Sequence, residues 1–297
     1  MNRINLTDEV SFSRLIYGMW RLGDDADTSA AHIGAKIKAC LDQGLTTFDQ
    51  ADIYGDYRSE ALLGTALRAD RGLRPYLEII TKCDICLVSS ARPNTRVKHY
   101  DTSAAHITAS VDQSLEAMSI DHIDCLLLHR PDPLMNAAET GAALDGLVQS
   151  GKVRALGVSN FRPWDWRLLQ DHMSTRLCTN QIEINPLACE SLTNGDLTQM
   201  QRDGLRPQAW SPLAGGRLFA DIGHGAAARL AGLAAREGVN LEALLIAWLL
   251  YHPAQILPVM GSNTLNRIAR FSEAFSVSMD RQLWFEIYEA GQGSEVP

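Results

Sequence analysis

Short apolar runs that each stop at polar residues, separated by stretches of helical period, restrict what this chain can fold into. The runs are Leu15–Trp20, TTFD ending at Asp49, LEIITK ending at Lys82, IDCLLLH ending at His129, ALGVSN ending at Asn160, TNQIE ending at Glu183, PQAWS ending at Ser211, and Ile256–Gly261. Between them apolar residues recur three or four apart. In Ala31–Leu41 this puts Ile33, Ile37 and Leu41 on one face, and Ala61–Leu67, Ile107–Met118 and Ala142–Val148 read the same way. Gly44, Gly72, Gly151 and Gly204 fall just before the following run, where glycine closes a helix in the left-handed conformation.

Strands alternating with helices imply a parallel sheet with helical crossovers. An open doubly wound sheet would gather its ligand residues near one switch point. Here polar residues end the runs along the whole length, which favours a (β/α)8 TIM barrel with its active site on the C-terminal face. At 297 residues the chain is somewhat longer than a typical barrel of about 250, so one domain over residues 1–297 with loop insertions is expected. A hydrophobic content of 46% supplies the core. No run is long enough to span a bilayer and the N-terminal stretch has no apolar leader region, so a cytoplasmic location away from membranes is expected. A formal charge of −8 argues against nucleic acid as a partner. The six cysteines are irregularly spaced, which suggests thiols rather than a disulfide framework. Cys83-x-x-Cys86 has no second pair, and no metal site is expected.

Asp49, Lys82 and His129 end successive runs, and Tyr54 follows Asp49 in the loop DQADIYG. Tyrosine is a poor acid near neutrality, with a reference pKa of about 10. An ammonium about 4 Å away favours the phenolate by about 4 kcal/mol at an effective dielectric of about 20. That corresponds to an upper figure of about three pKa units, before desolvation works against both charges. A carboxylate would keep the lysine charged and oriented, and a neutral histidine could hydrogen-bond a carbonyl oxygen. Such a group suits carbonyl reduction or, in reverse, alcohol oxidation.

The motifs FDQADIYG (48–55), ITK (80–82), LLLHRP (126–131), GVSNF (157–161), NQIE (180–183) and AWSPLAGG (209–216) occur in the order and spacing of the aldo-keto reductases. The resemblance runs from about Ser13 to Phe275, and YGMWRL, KVRALGVSNF and HRPDPLM resemble a bacterial subgroup of largely uncharacterised oxidoreductases. It implies Tyr54 as proton donor, Lys82 as the group lowering its pKa, Asp49 as support for Lys82, and His129 as the residue orienting the carbonyl. It implies that Ser159, Asn160 and Gln181 bind the nicotinamide carboxamide and that Trp210 stacks on the ring. Ser211, Leu213 and Gly215 would contact the pyrophosphate, and Ser262, Thr264, Arg267 and Arg270 would form the last phosphate-binding turn and helix. Thr264 is expected to cap that helix, and an arginine fork suits a 2′-phosphate, so NADPH is expected over NADH. The family binds its dinucleotide without a Rossmann domain, so the missing G-x-G-x-x-G is no obstacle.

The chain departs from the commoner family pattern at Gly261, where many NADPH-dependent members have lysine, and at Trp210, which replaces a tyrosine. Arg270 and Phe271 stand where an acid and an amide often contact the adenine. The segment after Arg281 is short, so a long C-terminal loop over the substrate pocket is not expected. Trp20 is expected to wall the substrate pocket. The basic loop Arg92–Tyr100 is read as solvated, with the helix-capping residue types Asp101, Thr102 and Ser103 directly after it. The leading expectation is NADPH-dependent reduction of a small aldehyde or ketone by a monomer. Two others stand beside it: a Schiff-base lyase using Lys82, and a non-catalytic NADP(H) sensor on the same fold.

Overall fold

Eight parallel strands close on themselves in sequence order in the computed structural model, which describes residues 3–220 and 224–297. They are β1 (Ile16–Gly18), β2 (Thr47–Asp49), β3 (Glu78–Cys83), β4 (Cys125–Leu128), β5 (Leu156–Ser159), β6 (Leu177–Glu183), β7 (Arg206–Trp210) and β8 (Leu257–Met260). The ring shuts where Val259 and Met260 of β8 pair with Ile16 and Tyr17 of β1. This is the expected (β/α)8 barrel, and all eight apolar runs supply a strand. The main crossover helices are α1 (Ala30–Leu41), α2 (Ser59–Ala69), α3 (Ala104–Met118), α4 (Ala137–Gln149), α5 (Pro163–Gln170), α6 (Asp196–Asp203), α7 (Gly225–Arg236) and α8 (Leu241–Tyr251). A last helix, α9 (Arg281–Gln292), occupies the C-terminal segment. Among the described residues no helix is long and apolar enough to cross a membrane.

Helix ends follow local chemistry. Ser29, Ser103, Asn136, Asn240 and Asp280 each accept the backbone N–H three residues on, so five helices begin at a side-chain cap. Gly44, Gly151 and Gly204 take the left-handed conformation expected of them, with φ of 74°, 75° and 73°. Gly72 does not. Helix α2 already stops at Ala69, and the Gly72 N–H donates to Asp70 Oδ1 at 3.2 Å in an ordinary side-chain turn.

Along each strand alternate residues face the barrel axis. At the floor the inward set is apolar: Ile16, Ile80, Cys125, Leu127, Leu257 and Val259 form one cluster with Ile4, Val10 and Phe12. Of those last three, Ile4 and Phe12 belong to an antiparallel hairpin, Arg3–Asn5 with Ser11–Ser13, and Val10 leads into it; together they seal the N-terminal mouth. Higher up, the same parity brings Asp49, Lys82, Gln181 and Gln208 to the axis. The chain thus stacks polar groups on a sealed apolar base.

Two inward positions are glycine because nothing larger fits. A Cβ at Gly157 would lie 2.5 Å from Thr179 Cγ2 and 2.7 Å from Leu127 Cδ2, and one at Gly18 would lie 2.9 Å from Val259 Cγ1. Gly157→Ala should therefore lower unfolding free energy by about 1–3 kcal/mol through overpacking. Urea denaturation measures this directly, and an unchanged midpoint would mean that the interior yields without cost.

Candidate active site

Lys82 is fully buried and its three ammonium hydrogens are all used. They go to Asp49 Oδ2 at 2.7 Å, the Gln50 carbonyl at 2.8 Å and Tyr54 Oη at 2.9 Å. Strand geometry explains the first contact. Asp49 and Lys82 end neighbouring parallel strands on the same inward parity, with Asp49 paired to Ile80 in register. Burial alone would lower the Lys82 pKa, but Asp49 and Tyr54 more than offset it, and its pKa lies above the ordinary value.

Tyr54 reaches the lysine from a strained turn. Gly55, Asp56 and Tyr57 are consecutively left-handed, with φ of 59°, 57° and 64°, and two of the three are not glycine. Such residues cost about 1–3 kcal/mol each and persist where surrounding contacts over-determine them. Here Gln50 Nε2 donates to the Ser59 carbonyl at 3.2 Å, and Arg58 Nε to the Gly55 carbonyl at 2.9 Å. A Cβ at Gly55 would lie 2.6 Å from Ser59 Oγ, so that position needs glycine for space as well.

The electrostatics of Tyr54 differ from the sequence expectation. Burial is the largest influence and raises the phenol pKa above 10.0; Lys82 favours the phenolate but does not offset it, and Asp49 adds to the rise. Tyr54 is a neutral phenol. Because Lys82 donates to Oη, the phenolic hydrogen is left for another acceptor.

His129 follows β4, with its ring edge-on to Tyr54 and 5.9 Å between centroids. Desolvation first, then Lys82 and Arg130, hold its pKa well below 6.5, so the imidazole is neutral. Its Nδ1 is buried with no partner among the described residues.

The expected carboxamide residues form a connected chain across the barrel. Ser159 Oγ donates to the Gln181 carbonyl at 2.8 Å, and Asn160 Nδ2 donates to Ser159 Oγ at 2.8 Å and to the His129 carbonyl at 3.2 Å. Asn160 is itself left-handed, with φ of 62°. Gln181 Nε2 donates to Asp49 Oδ1 and to Gln208 Oε1, both at 2.9 Å, and Gln208 passes the chain to Thr179 Oγ1 at 3.0 Å. Gln181 thus supports Asp49 as well as facing the site, a link that sequence reading missed. The Trp210 indole donates to Asn160 Oδ1 at 3.0 Å, which fixes its ring beside these groups.

The remaining expected residues are less tightly joined to this centre. Ser211 and Gly215 are left-handed, with φ of 47° and 65°. Leu213 packs into the core. Residues 221–223 of the following loop lie outside the described residues. Thr264 does not cap by its side chain: the helix there, Leu265–Ile268, spans four residues, and Ser262 Oγ instead accepts the Thr264 N–H at 3.1 Å. A helix so short carries little dipole, and the anion-binding argument falls to the arginines. Arg267 and Arg270 line a cavity of about 270 Å³, each already holding a carboxylate: Glu242 at 3.2 Å and Glu273 at 2.6 Å. Trp20 is 58% exposed at the C-terminal rim, with Arg21 over its ring at 5.1 Å. Three buried acids were also missed. Asp52, Glu60 and Asp84 all have raised pKa values, burial being the main cause, and Asp84 Oδ2 accepts the N–H of Arg130 at 3.1 Å beside His129. The basic loop is partly organised: Ile85–Cys86 pairs with His99–Tyr100, and Arg92 lies 5.1 Å over the Tyr57 ring.

Known proteins carry the same arrangement of chain and fold. Residues 14–291 match the model of the aldo/keto reductase family. A protein of Agrobacterium fabrum named 6-dehydroglucose reductase is 57% identical over 296 residues, covering 100% of both chains. The uncharacterised oxidoreductase YcsN of Bacillus subtilis is 43% identical over 301 residues, again covering 100% of both. Among solved structures, the thermostable aldo-keto reductase Tm1743, in complex with the inhibitor epalrestat, superposes with a TM-score of 0.82 at 21% identity, over 98% of this chain and 100% of that one. An aldo/keto reductase of Klebsiella pneumoniae in complex with NADP and acetate gives a TM-score of 0.78 at 24% identity, over 98% and 94%. These last two likenesses speak to the fold. The family match and the relatives that align from end to end show that this chain is an oxidoreductase belonging to the aldo/keto reductase family.

Proposed function

We propose that the protein reduces a small aldehyde to the alcohol with NADPH, Tyr54 acting as proton donor. The observation that carries this reading is the Lys82 tripod, which leaves a neutral phenol whose hydrogen no described residue accepts. The relative named 6-dehydroglucose reductase makes a sugar carrying a C6 aldehyde the first substrate to assay.

The residues present fit a dinucleotide. Trp210, pinned by Asn160, offers a flat aromatic face at the tetrad, and two arginines face a cavity on the chain's last segment. When bound, NADPH supplies the hydride. The chain's own residues do the rest. In this reading neutral His129 hydrogen-bonds the carbonyl oxygen, and the Tyr54 hydroxyl protonates that oxygen as negative charge grows on it. Asp49, tied down by Gln181, keeps Lys82 charged and aimed at Oη.

A lysine with all three hydrogens engaged and a raised pKa has no free lone pair, which disfavours the imine-forming alternative. Borohydride should trap no substrate on Lys82. The sensor alternative predicts cofactor binding without turnover.

Tyr54→Phe should lower kcat/KM for aldehyde reduction by about 10²–10⁴-fold while leaving NADPH affinity nearly unchanged. The loss of NADPH absorbance with time measures the rate, and a variant that keeps full activity would rule this mechanism out.

The pH dependence follows from the signs. Reduction needs Tyr54 protonated, and its pKa is raised above 10.0, so activity should fall only at strongly alkaline pH. It needs His129 neutral, and its pKa lies well below 6.5, so no acid-side loss should occur near 6.5. A kcat/KM profile flat between those limits is expected. A descending limb centred near neutrality would instead mean that Lys82 lowers the phenol pKa below its ordinary value.

A further inference from the structure

The cavity bordered by Arg267 and Arg270 presents as many carboxylates as guanidinium groups. Glu242 Oε2 accepts from Arg267 Nη2 at 3.2 Å and from Nε at 3.4 Å. Glu273 grips Arg270 with both oxygens, at 2.6 Å from Nε and 3.0 Å from Nη2, and also accepts from Asn240. The second oxygen of Glu242 is buried and has no partner among the described residues. All of these side chains line the same cavity. The two arginines thus face a ligand with their hydrogen-bonding edges partly taken and their charge balanced.

We propose that Glu242 and Glu273 set the coenzyme selectivity of this pocket by competing with a 2′-phosphate for Arg267 and Arg270, an inference that rests on the dinucleotide reading above. Bidentate guanidinium pairing is the geometry that a phosphate also requires, so a carboxylate already in the fork must yield or share it. Both arginines are substantially exposed, with side-chain accessibilities of 49% and 61%, so these pairs are weak and exchangeable. The acids therefore tune the preference without abolishing it. A 2′-hydroxyl cofactor demands nothing of the forks and repels neither acid. The pocket is built for a moderated preference for the phosphorylated form.

The effect of each acid should differ. Glu273 also fixes Asn240, whose side chain caps helix α8, so its replacement loosens a second contact. Glu242 holds Arg267 and leaves one oxygen bare, so its replacement reports the electrostatic effect more cleanly.

The test is calorimetric titration of the whole chain and its E242Q and E273Q variants with 2′,5′-ADP and, separately, with 5′-AMP. These probes engage the adenosine end alone, independent of the tetrad. The affinity ratio of 2′,5′-ADP to 5′-AMP should rise by about twofold to fivefold in E242Q, and in the same direction in E273Q. A ratio unchanged in both variants overturns the proposal while the dinucleotide reading stands. A fall in the ratio also overturns it and assigns the acids to orienting the arginines for phosphate. Equal loss of both affinities in E242Q assigns Glu242 to the base or ribose and overturns it as well. If neither nucleotide binds the wild type or either variant, both the inference and the dinucleotide reading fall.

Discussion

A lysine ammonium with no accessible surface sits inside the barrel, and the polar half of the interior is arranged around it. An isolated buried charge is prohibitively costly, so it survives only with a counter-charge and with every hydrogen satisfied. Asp49, the Gln50 carbonyl and Tyr54 meet that demand, and each comes from β2 or the loop after it. The demand then propagates. Asp49 has a second oxygen, which takes Gln181 from the far side of the ring, and Gln181 takes Gln208 from the next strand. One cation therefore links β2, β3, β6 and β7 through groups that cannot be removed singly without stranding another. The same network that permits Lys82 to be buried holds Tyr54 in place.

The parts of this arrangement legible in the sequence are those set by strand period and local turns. Alternation decides that Asp49, Lys82 and Gln181 all face inward, and a polar residue at the end of an apolar run is visible without a structure. The three left-handed glycines before the strands are legible for the same reason, whereas Gly72 is not, because Asp70 supplies a competing side-chain turn. What stays hidden depends on contacts between distant segments. The Gln181–Asp49 bond spans 132 residues, and nothing local to either predicts it. The neutralising pairs of Arg267 and Arg270 and the four-residue helix after Thr264 are likewise beyond reach. A Thr in a favourable position looks like a cap whether or not a helix long enough to need one comes after it.

The charge state of Tyr54 departs from the pairwise expectation for a physical reason. Coulomb attraction to Lys82 treats desolvation as a correction, but in a fully enclosed site desolvation is the larger effect. The raised pKa does not weaken the case for Tyr54 as an acid. A group that must donate at neutral pH needs its proton present, and an alkoxide is far more basic than a phenolate, so transfer from a reluctant phenol still runs downhill. In the proposed mechanism Lys82 would act at the other end of that transfer. Its attraction for Oη is modest while the phenol is neutral and becomes a full ion-pair interaction as the proton leaves. In the proposed mechanism the ammonium would stabilise the charge that develops during reaction more than the charge-free starting state, which is the only kind of stabilisation that accelerates a chemical step. Its three fixed hydrogen bonds mean that no reorientation is required at that moment. The strained turn through Gly55, Asp56 and Tyr57 would serve the same end in that mechanism, since a Tyr54 free to swing away would lose the ammonium when the phenolate most needs it.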